Sequence, residues 1–385
     1  MMVERLRDIH GFSIDEVAKA AGEDPEVLRL ENLDTDLRPP EIALKATRAA
    51  IDDDDANSYL PFTGRDRLRV ATARHVGRLT GLHYEPDTQC VITAGGTEGM
   101  LNALLATVDP GDEVVLTDPT YAGMIQRVRL AGATPRFVPF VLAGAEWRLD
   151  LDALDEAATD RTRAVFIMNP SMPSGAVLSE GEWTAITALC RKRDAWLLYN
   201  AAMERILFDD RPYVHPASLP GMAKRTVTIG SVSKEYRMIG WRVGWVVGPR
   251  AVIADVARVG LYNVVTPVGI SQPAATAALT AHDEETDVRG AVVEWQRRRD
   301  CIVEELGGLP LTPAAGGWSM LLDCEALGHD AVTASDRLLR IGKIAATPMD
   351  HWGVRRAGSL IRLVFSNEPV KRLRGIGERV RQSLC

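Results

Sequence analysis

Between about residues 65 and 250, short runs rich in β-branched and aromatic residues alternate with segments of helical pattern. The strand candidates in this part of the chain read QCVITAGG, DEVVLTDP, TPRFVPF, RAVFIMNP, AWLLYN, RTVTIGSVS and GWRVGWVVG. Strands that alternate with helices form a mainly parallel sheet whose faces are covered by those helices. The alternation therefore predicts an α/β fold built around one large, mainly parallel sheet.

The last two of these strands form an exception to the parallel pattern. Only KEYRMI or so separates RTVTIGSVS from GWRVGWVVG, whereas a parallel crossover needs a dozen or more residues. We therefore expect this pair to be antiparallel, with Lys234 in the turn between the two strands.

After residue 275 the pattern changes to helical segments, a few strands and a closing basic helix. This order predicts a second, smaller α+β domain, to which the N-terminal segment returns. We expect a large domain over residues 45–275 and a small domain made of residues 1–44 and 276–385. A chain of 385 residues with 46% apolar content is long enough for two such units.

The composition limits the classes of partner. The formal net charge is −7, so no excess of basic residues is available to neutralise phosphates of nucleic acid. No apolar stretch reaches the roughly 18 residues of a membrane helix, and the N-terminus lacks the pattern of a secretion signal. The five cysteines are scattered and never in CxxC spacing, which argues against disulfides or a zinc site. We expect a cytoplasmic protein that binds small molecules, not nucleic acid or membrane.

The stretch TAGGTEGMLNALL has the features of an anion-binding turn. It begins as a strand, crosses Gly95 and Gly96, and is predicted to enter a helix at Thr97. Two glycines let the backbone approach a ligand, and free amides at a helix N-terminus favour a phosphate. A tight turn with Thr97 as the N-cap is an equally good interpretation of this stretch alone. It matches neither a Walker loop nor the GxGxxG fingerprint, which counts against an NTPase or a dehydrogenase.

The stretch SVSKEYRMIGWRVGW places one lysine, Lys234, among small and hydroxylic residues. Lys234 is either a surface lysine in a hairpin turn or an amine held in a cleft, where desolvation lowers its pKa and lets it condense with a carbonyl. In the second interpretation Arg242 holds an anion nearby, with Ser231 and Ser233 as further donors. A lysine, an arginine and a phosphate-binding turn together describe a site for a phosphorylated aldehyde.

These stretches resemble the class I/II aminotransferases, fold type I enzymes that depend on pyridoxal 5′-phosphate (PLP). The similarity runs over nearly the whole chain, and SxSKxxxxxGxRxG is among the more specific motifs of that family. The resemblance implies that Lys234 carries the Schiff base with the cofactor, and that Arg242 and Ser231 bind its phosphate. AGGTEG resembles the phosphate-binding turn of the family, in which Gly96 and Thr97 contribute backbone amides.

Three further residues match positions of this family. Tyr121, in DPTYAGM, matches an aromatic residue that stacks on the pyridine ring. Tyr59, in SYLPFTG, matches a tyrosine that reaches the phosphate of the neighbouring subunit, which implies a homodimer. Arg362, in SLIRLVFS, matches the arginine that binds the substrate α-carboxylate through two hydrogen bonds. Without the resemblance, Arg362 would be interpreted as a strand-end arginine in a surface salt bridge.

Three residues depart from the family pattern, all where the cofactor ring is bound. Met172, in NPSMPSG, stands where an asparagine normally hydrogen-bonds the phenolic oxygen, and Met203 replaces a tyrosine that also contacts this oxygen. Asn200 stands where an aspartate pairs with the pyridinium nitrogen. A neutral amide stabilises the protonated ring nitrogen less than a carboxylate does, so the cofactor becomes a poorer sink for the carbanion formed at Cα. We therefore expect slowed transamination.

These departures leave several functions open. The resemblance implies transfer of an amino group between an amino acid and a 2-oxo acid, with Lys234 also moving the proton at Cα. The alternatives are PLP-dependent elimination, decarboxylation or racemisation at the same carbon, and a PLP-binding protein with little activity. An engineered substitution would also account for Asn200. An acidic substrate often needs a second arginine; Arg38 and Arg237 are candidates that no specific motif supports.

Overall fold

The computed structural model describes residue 3 and residues 6–11 and 13–385. Within this part of the chain the strands are β1 (Leu28–Leu30), β2 (Cys90–Thr93), β3 (Glu113–Asp118), β4 (Thr134–Ala143), β5 (Glu146–Leu149), β6 (Thr162–Met168), β7 (Trp196–Asn200), β8 (Thr226–Ser231), β9 (Gly244–Val247), β10 (Leu311–Thr312), β11 (Ser319–Asp323), β12 (Ile344–Pro348) and β13 (Leu360–Val364). The α-helices are α1 (Ser13–Ala21), α2 (Glu41–Ile51), α3 (Asp66–Thr80), α4 (Pro86–Gln89), α5 (Gly95–Leu105), α6 (Ala122–Leu130), α7 (Leu151–Ala157), α8 (Glu180–Lys192), α9 (Arg250–Asn263), α10 (Gln272–Leu279), α11 (Glu284–Glu305), α12 (Ala331–Arg340), α13 (Val370–Leu373) and α14 (Ile376–Leu384).

The larger sheet has eight strands in the order β2-β9-β8-β7-β6-β3-β4-β5. Neighbours from β8 to β4 run parallel, with Phe166 of β6 beside Leu116 of β3 and Leu198 of β7. All seven strand candidates of the sequence form strands of this sheet, so the predicted mainly parallel α/β fold is confirmed. β5, which pairs with β4 as an antiparallel hairpin, is not among the predicted strands.

The strands on either side of Lys234 form the antiparallel pair that the short connection predicts. Ser231 at the end of β8 lies beside Gly244 at the start of β9. β8 is parallel to β7, so its carboxyl end lies at the same edge of the sheet as Asn200, the last residue of β7. Ligands of open α/β sheets bind outside the carboxyl ends of the strands. The turn that carries Lys234 therefore lies at the edge where a ligand site is expected.

Apolar side chains fill both faces of the larger sheet. Every residue of β2, β3, β8 and β9 is buried, a pattern typical of strands covered by helices on both sides. On one face Trp183 and Ile186 of α8 join the main buried cluster, and on the other Leu68 and Val76 of α3 join a second one. This packing makes the sheet a rigid support for the residues that follow its strands.

The smaller sheet has five strands in the order β1-β12-β13-β11-β10. β1 pairs in parallel with β12, with Leu28 beside Ile344, so the N-terminal segment joins strands from the end of the chain. β13 is antiparallel to β12 and β11, and its residue Arg362 lies beside Thr347 and Leu321. The pairing fixes Arg362 in the middle of a buried strand. The proposed domain limits, 45–275 against 1–44 and 276–385, stay a prediction.

The helices and the cysteines relate to the predictions that the protein has no membrane helix and no disulfide bonds. In the described part of the chain, no helix has both the length and the apolar character that crossing a bilayer requires. All five cysteines are free, and Cys385 is the exposed one.

Candidate active site

A cavity of about 340 Å³ lies at the carboxyl edge of the larger sheet. Small-molecule sites commonly have volumes of about 300–1,000 Å³. Its wall contains ten of the twelve residues that the sequence predicts for the site: Gly96, Thr97, Tyr121, Met172, Asn200, Ser231, Ser233, Lys234, Arg242 and Arg362. The structure thus brings together residues that lie up to 266 positions apart in the chain, from Gly96 to Arg362.

Lys234 projects from the β8–β9 turn into this cavity. Its Nζ donates a hydrogen bond of 2.7 Å to the carbonyl oxygen of Leu33 and lies 4.9 Å from the centre of the Trp318 ring. Lys234 is half-buried and lines the cavity. This position excludes the interpretation as a surface lysine in a solvent-exposed turn.

The surroundings of Lys234 change its protonation. Burial lowers the pKa of Lys234 to about 7, and the nearby cations Arg362 and Arg242 add to this shift while Asp34 opposes it. Near neutral pH a large fraction of the amine is therefore unprotonated. The unprotonated amine is the nucleophilic form, which is the form that attacks a carbonyl carbon.

Arg242 forms a cationic end of the cavity against the start of α5. Its Nη2 donates to Thr97 Oγ1 at 3.1 Å and its Nη1 to the carbonyl oxygen of Ile239 at 3.0 Å. Gly95 has a φ of 76°, and a Cβ at this residue would lie 2.4 Å from the Arg242 guanidinium. A glycine is therefore required here by both the backbone conformation and the approach of the cation. Arg242 itself has a left-handed backbone, with φ 53° and ψ 48°.

Helix α5 begins two residues earlier than the sequence predicts. Its N-cap is Ala94 and its first residue is Gly95, so the interpretation of Thr97 as the N-cap is wrong. Thr97 instead lies in the first turn, where backbone N–H groups lack partners within the helix. Together with the helix dipole and Arg242, these amides suit a phosphate. Ser231, whose Oγ accepts the Ser233 N–H at 3.4 Å, also lines this region.

Asn200 lines a second part of the cavity wall, among methionine side chains. Its Oδ1 accepts the N–H of Ala202 at 3.2 Å, which fixes the orientation of the amide. Its Nδ2 then points toward thioether sulfurs, 3.4 Å from Met100, 3.6 Å from Met168 and 3.9 Å from Met124. Thioether sulfur is only a weak hydrogen-bond acceptor. This part of the cavity therefore offers a neutral donor in apolar surroundings.

The two methionines that depart from the family pattern, Met172 and Met203, differ in position. Met172 lines the cavity, and its sulfur lies 3.9 Å from Nη1 of Arg362. Met203 is buried but does not belong to the cavity wall; it packs toward Gly317 of the loop before β11. The predicted contact of Met203 with the cofactor therefore has no support from its position. Tyr121 precedes α6 at the wall, with its ring centre 5.9 Å from that of Trp352.

Arg362 is a fully buried cation without a carboxylate partner. Its Nη2 donates to the Glu31 carbonyl oxygen and, at 3.3 Å, to Thr347 Oγ1, and its guanidinium lies 4.8 Å from the centre of the Trp352 ring. Its Nε has no partner within the described residues, and the Glu31 carboxylate pairs with Arg29 instead. Burial lowers the pKa of Arg362 to about 9. A buried, unpaired guanidinium costs free energy that a bound anion offsets, so the site suits a carboxylate.

Neither candidate for a second substrate-binding arginine reaches the cavity wall. Arg237 binds both carboxylate oxygens of Asp287, at 2.8 and 2.9 Å, and its Nε donates to the carbonyl oxygen of Arg38. Arg38 does not line the cavity either. The described part of this chain therefore supplies no further arginine for a distal carboxylate.

Several wall residues carry no motif and were not identified from the sequence. They come chiefly from the N-terminal segment and from strand ends, and are Ile14, Asp15, Asn32, Leu33, Met100, Met168, Ala202 and Ile239. The N-terminal ones reach the cavity because β1 pairs with β12, over 300 residues away in the chain. No local pattern encodes such a contact. Trp318 and Trp352, the aromatic residues beside Lys234 and Arg362, also lie outside any recognisable sequence motif.

Tyr59 lies outside the cavity of this chain. Its side chain is 87% exposed. The structure therefore places it on the surface and not beside Arg242.

Comparison with known proteins identifies the family. Residues 27–376 match the model of the family described as aminotransferase class I and II. The chain belongs to this family. An arginine–pyruvate transaminase from Pseudomonas aeruginosa is 32% identical over 372 residues, which are 94% of this chain and 91% of that protein.

Solved structures of aminotransferases share the whole fold. N-succinyldiaminopimelate aminotransferase from Mycobacterium tuberculosis superposes with a TM-score of 0.92 at 31% identity and covers 99% of each chain. Aspartate aminotransferase from Thermus thermophilus with maleate gives a TM-score of 0.92 at 27% identity and covers 100% of each chain. These comparisons confirm the fold type I architecture that the sequence motifs predict.

Membership of the class I and II aminotransferases confirms the predicted activity and cofactor. The protein is an enzyme that transfers amino groups, and its family depends on PLP. Elimination, decarboxylation or racemisation is not favoured, because the relatives named above are aminotransferases. The cavity suits this cofactor, since it combines a reactive amine at Lys234 with a glycine-lined cationic end at Arg242.

Proposed function

We propose that this aminotransferase attaches PLP through Lys234 and binds the α-carboxylate of its substrates through Arg362. One observation carries the assignment: an amine with a pKa of about 7 and a guanidinium without a carboxylate partner line the same cavity. When bound, PLP supplies an aldehyde that reacts with amines and a ring that withdraws electrons from the substrate Cα. The protein has to hold that group, orient the substrate and move a proton.

The phosphate of the cofactor is held at the Arg242 end of the cavity. The backbone amides of Gly96 and Thr97 lie in the first turn of α5, and the hydroxyl groups of Ser231 and Ser233 line the same region. Hydrogen bonds from a charged donor to a phosphate are about twice as strong as neutral ones. We therefore assign most of the cofactor affinity to Arg242.

Lys234 acts a second time as the group that moves a proton. With PLP bound, the free Nζ of Lys234 would accept the proton from the substrate Cα and deliver it to the cofactor carbon that receives the amino group. A base is most effective when its pKa lies near the operating pH, and that of Lys234 is about 7. The Leu33 carbonyl oxygen, 2.7 Å away, holds the free Nζ in place.

Arg362 orients the substrate so that its Cα faces Lys234. A guanidinium binds a carboxylate in one plane through two parallel hydrogen bonds, and such a contact fixes direction as well as position. Trp352, 4.8 Å from the guanidinium, and Tyr121 beside it restrict the space around the carboxylate. Met172 adds apolar surface to the wall beside Arg362.

The reaction is slow compared with that of a member that carries an aspartate at position 200. Asn200 is neutral, and its Nδ2 lies among three sulfur atoms. Such surroundings favour an unprotonated ring nitrogen, because a neutral amide and thioether sulfurs stabilise the cation less than a carboxylate does. The cofactor then withdraws fewer electrons from Cα.

The active form is a homodimer in which Tyr59 reaches the site of the partner. Support comes from the match of Tyr59 to the family motif and from its exposure of 87%. Other large side chains are also exposed: Ile51, Phe62, Tyr262 and Val265. Light scattering should give twice the mass of one chain; the mass of a single chain would contradict the dimer. We also propose a cytoplasmic location, supported by five unpaired thiols.

A test of these assignments is to measure amino transfer by the PLP-loaded enzyme from a panel of amino acids to a 2-oxo acid. Lys234→Ala should abolish transfer, because no other amine lines the described cavity wall. Lys224→Ala, which removes an exposed lysine, should retain the wild-type rate. The products also distinguish the reactions, since transfer yields a new amino acid and a new 2-oxo acid, whereas elimination releases ammonia. Activity retained in Lys234→Ala would refute the assignment.

A further inference from the structure

Asp15 is the only carboxylate among the described residues that line the active-site cavity. It lies in the first turn of α1 and is exposed at the rim of the cavity. In the described part of the chain its side chain has neither a hydrogen-bond partner nor a salt-bridge partner. An unpaired carboxylate at the rim of a site is available to a cationic group of a ligand.

The neighbours of Asp15 in α1 hold it at this rim. Ser13 Oγ donates a hydrogen bond of 3.2 Å to the carbonyl oxygen of Pro348, the last residue of β12. Ile14 packs against the main buried cluster and also lines the cavity. The start of α1 is therefore held by two contacts that immediately precede Asp15 in the chain.

The charged residues of the wall indicate which charge the distal end of a substrate side chain can carry. The cations of the wall are Lys234, Arg242 and Arg362, and the proposed function uses each of them for the cofactor or the α-carboxylate. No further cation of the described wall could bind a second carboxylate of a substrate. A distal ammonium or guanidinium, in contrast, would meet Asp15.

The cavity wall that contains both Asp15 and Arg362 also offers apolar surface that suits methylene groups. Ile14, Leu33, Tyr121 and Met172 contribute apolar surface to the wall, and the amide of Asn32 lies in the wall as well. An extended aliphatic chain buries its methylene groups on such a surface while its charged end stays near the rim.

We propose that Asp15 binds the terminal cation of the amino donor, so that the enzyme takes amino acids with a long, cationic side chain, such as ornithine, lysine or arginine. This inference rests on the proposed function, in which Arg362 binds the α-carboxylate. Asp15 is then a specificity-determining residue that contacts the substrate far from the reacting carbon.

The test compares L-ornithine with L-norvaline, which differ by the terminal ammonium group, as donors for the PLP-loaded enzyme. The wild-type enzyme should use ornithine with a kcat/KM about tenfold higher than norvaline, a typical effect of one charged contact in a partly desolvated site. Asp15→Asn should remove most of this preference and leave the norvaline value within about twofold. Glu16→Gln, which removes the adjacent exposed carboxylate outside the cavity wall, should leave both values unchanged.

A charge reversal gives a second, independent readout. Asp15→Lys should lower kcat/KM for ornithine further and raise it for glutamate, because the rim then attracts a distal carboxylate. Equal use of ornithine and norvaline, a wild-type preference for glutamate, or an unchanged ornithine preference in Asp15→Asn would overturn the role of Asp15 while amino transfer still stands. Absence of transfer from every donor would instead overturn the proposed function, and this inference with it.

Discussion

The part of the cavity around Arg242, which is the proposed phosphate end, differs from the part around Asn200, which is the proposed ring end. At the phosphate end, Arg242, Thr97 and the turn at Gly95 agree with the family pattern, and the cation lies within hydrogen-bond distance of the helix that begins there. At the ring end, Asn200 and Met172 replace the polar groups of the pattern, and sulfur atoms surround the amide.

This contrast separates affinity from reactivity. The affinity for a phosphate depends on the position and the charge of the groups that bind it, and it is the same whichever reaction follows. The groups beside the ring nitrogen change its protonation and therefore the stability of the carbanion at Cα. The chain retains the first set and alters the second, so we expect it to bind PLP well and to react slowly.

The largest effect, a loss of PLP affinity, should come from a substitution at the phosphate end. Arg242→Gln removes the cation while keeping a side chain of similar length, and we expect PLP to bind about 100-fold more weakly because charge-assisted hydrogen bonds to the phosphate are lost. Equilibrium titration of the apo-enzyme with PLP measures this change. Arg250→Gln, at an exposed position, serves as the control and should have no effect. Unchanged PLP affinity in Arg242→Gln would show that the phosphate lies elsewhere.

A smaller effect, an increase in the rate of the half-reaction, should come from a substitution at the ring end. Asn200→Asp places a carboxylate where it stabilises a protonated ring nitrogen, and we expect the half-reaction with an amino donor to become about tenfold faster. Stopped-flow absorbance measures the rate, and the same titration should show a much smaller change in PLP affinity than Arg242→Gln does. Gln382→Glu, at an exposed position of α14 outside the cavity wall, adds the same charge and should leave the rate unchanged. An unchanged or slower half-reaction in Asn200→Asp would remove the distinction between the two ends.

The smallest effect, on the rate of PLP attachment, concerns Lys234, which lines the same cavity. Its pKa of about 7 means that the neutral, nucleophilic fraction increases as the pH rises through 7. The rate of PLP attachment to the apo-enzyme should therefore increase about threefold from pH 6.5 to 7.5 and level off above pH 8. Absorbance time courses across this range measure it. A rate that continued to rise tenfold per unit up to pH 9 would indicate an ordinary lysine with the usual pKa of 10.5.

The sequence predicts the features that local patterns encode. The strands were found because β-branched runs and helical segments alternate, and the antiparallel turn at Lys234 because its connection is too short for a crossover. The start of α5 was misplaced by two residues, since the two glycines mask where helical backbone begins.

Contacts between segments that are distant in the chain cannot be predicted from local sequence patterns. Asp15 reaches the cavity through the pairing of β1 with β12, and the sulfur atoms around Asn200 come from two helices and one strand that are separate in the chain. Each of these positions depends on the packing of distant segments, for which neither periodicity nor spacing gives a signal.

Chemical trapping of the cofactor tests the role of Lys234 most directly. The PLP-loaded enzyme is reduced with borohydride and digested, and the peptides are analysed by mass spectrometry. We expect the mass of the reduced cofactor on the peptide that contains Lys234, at the ζ nitrogen of that residue. Attachment to another lysine such as Lys224, or an unmodified Lys234 in enzyme that retains PLP, would contradict the assignment on which both ends of the cavity depend.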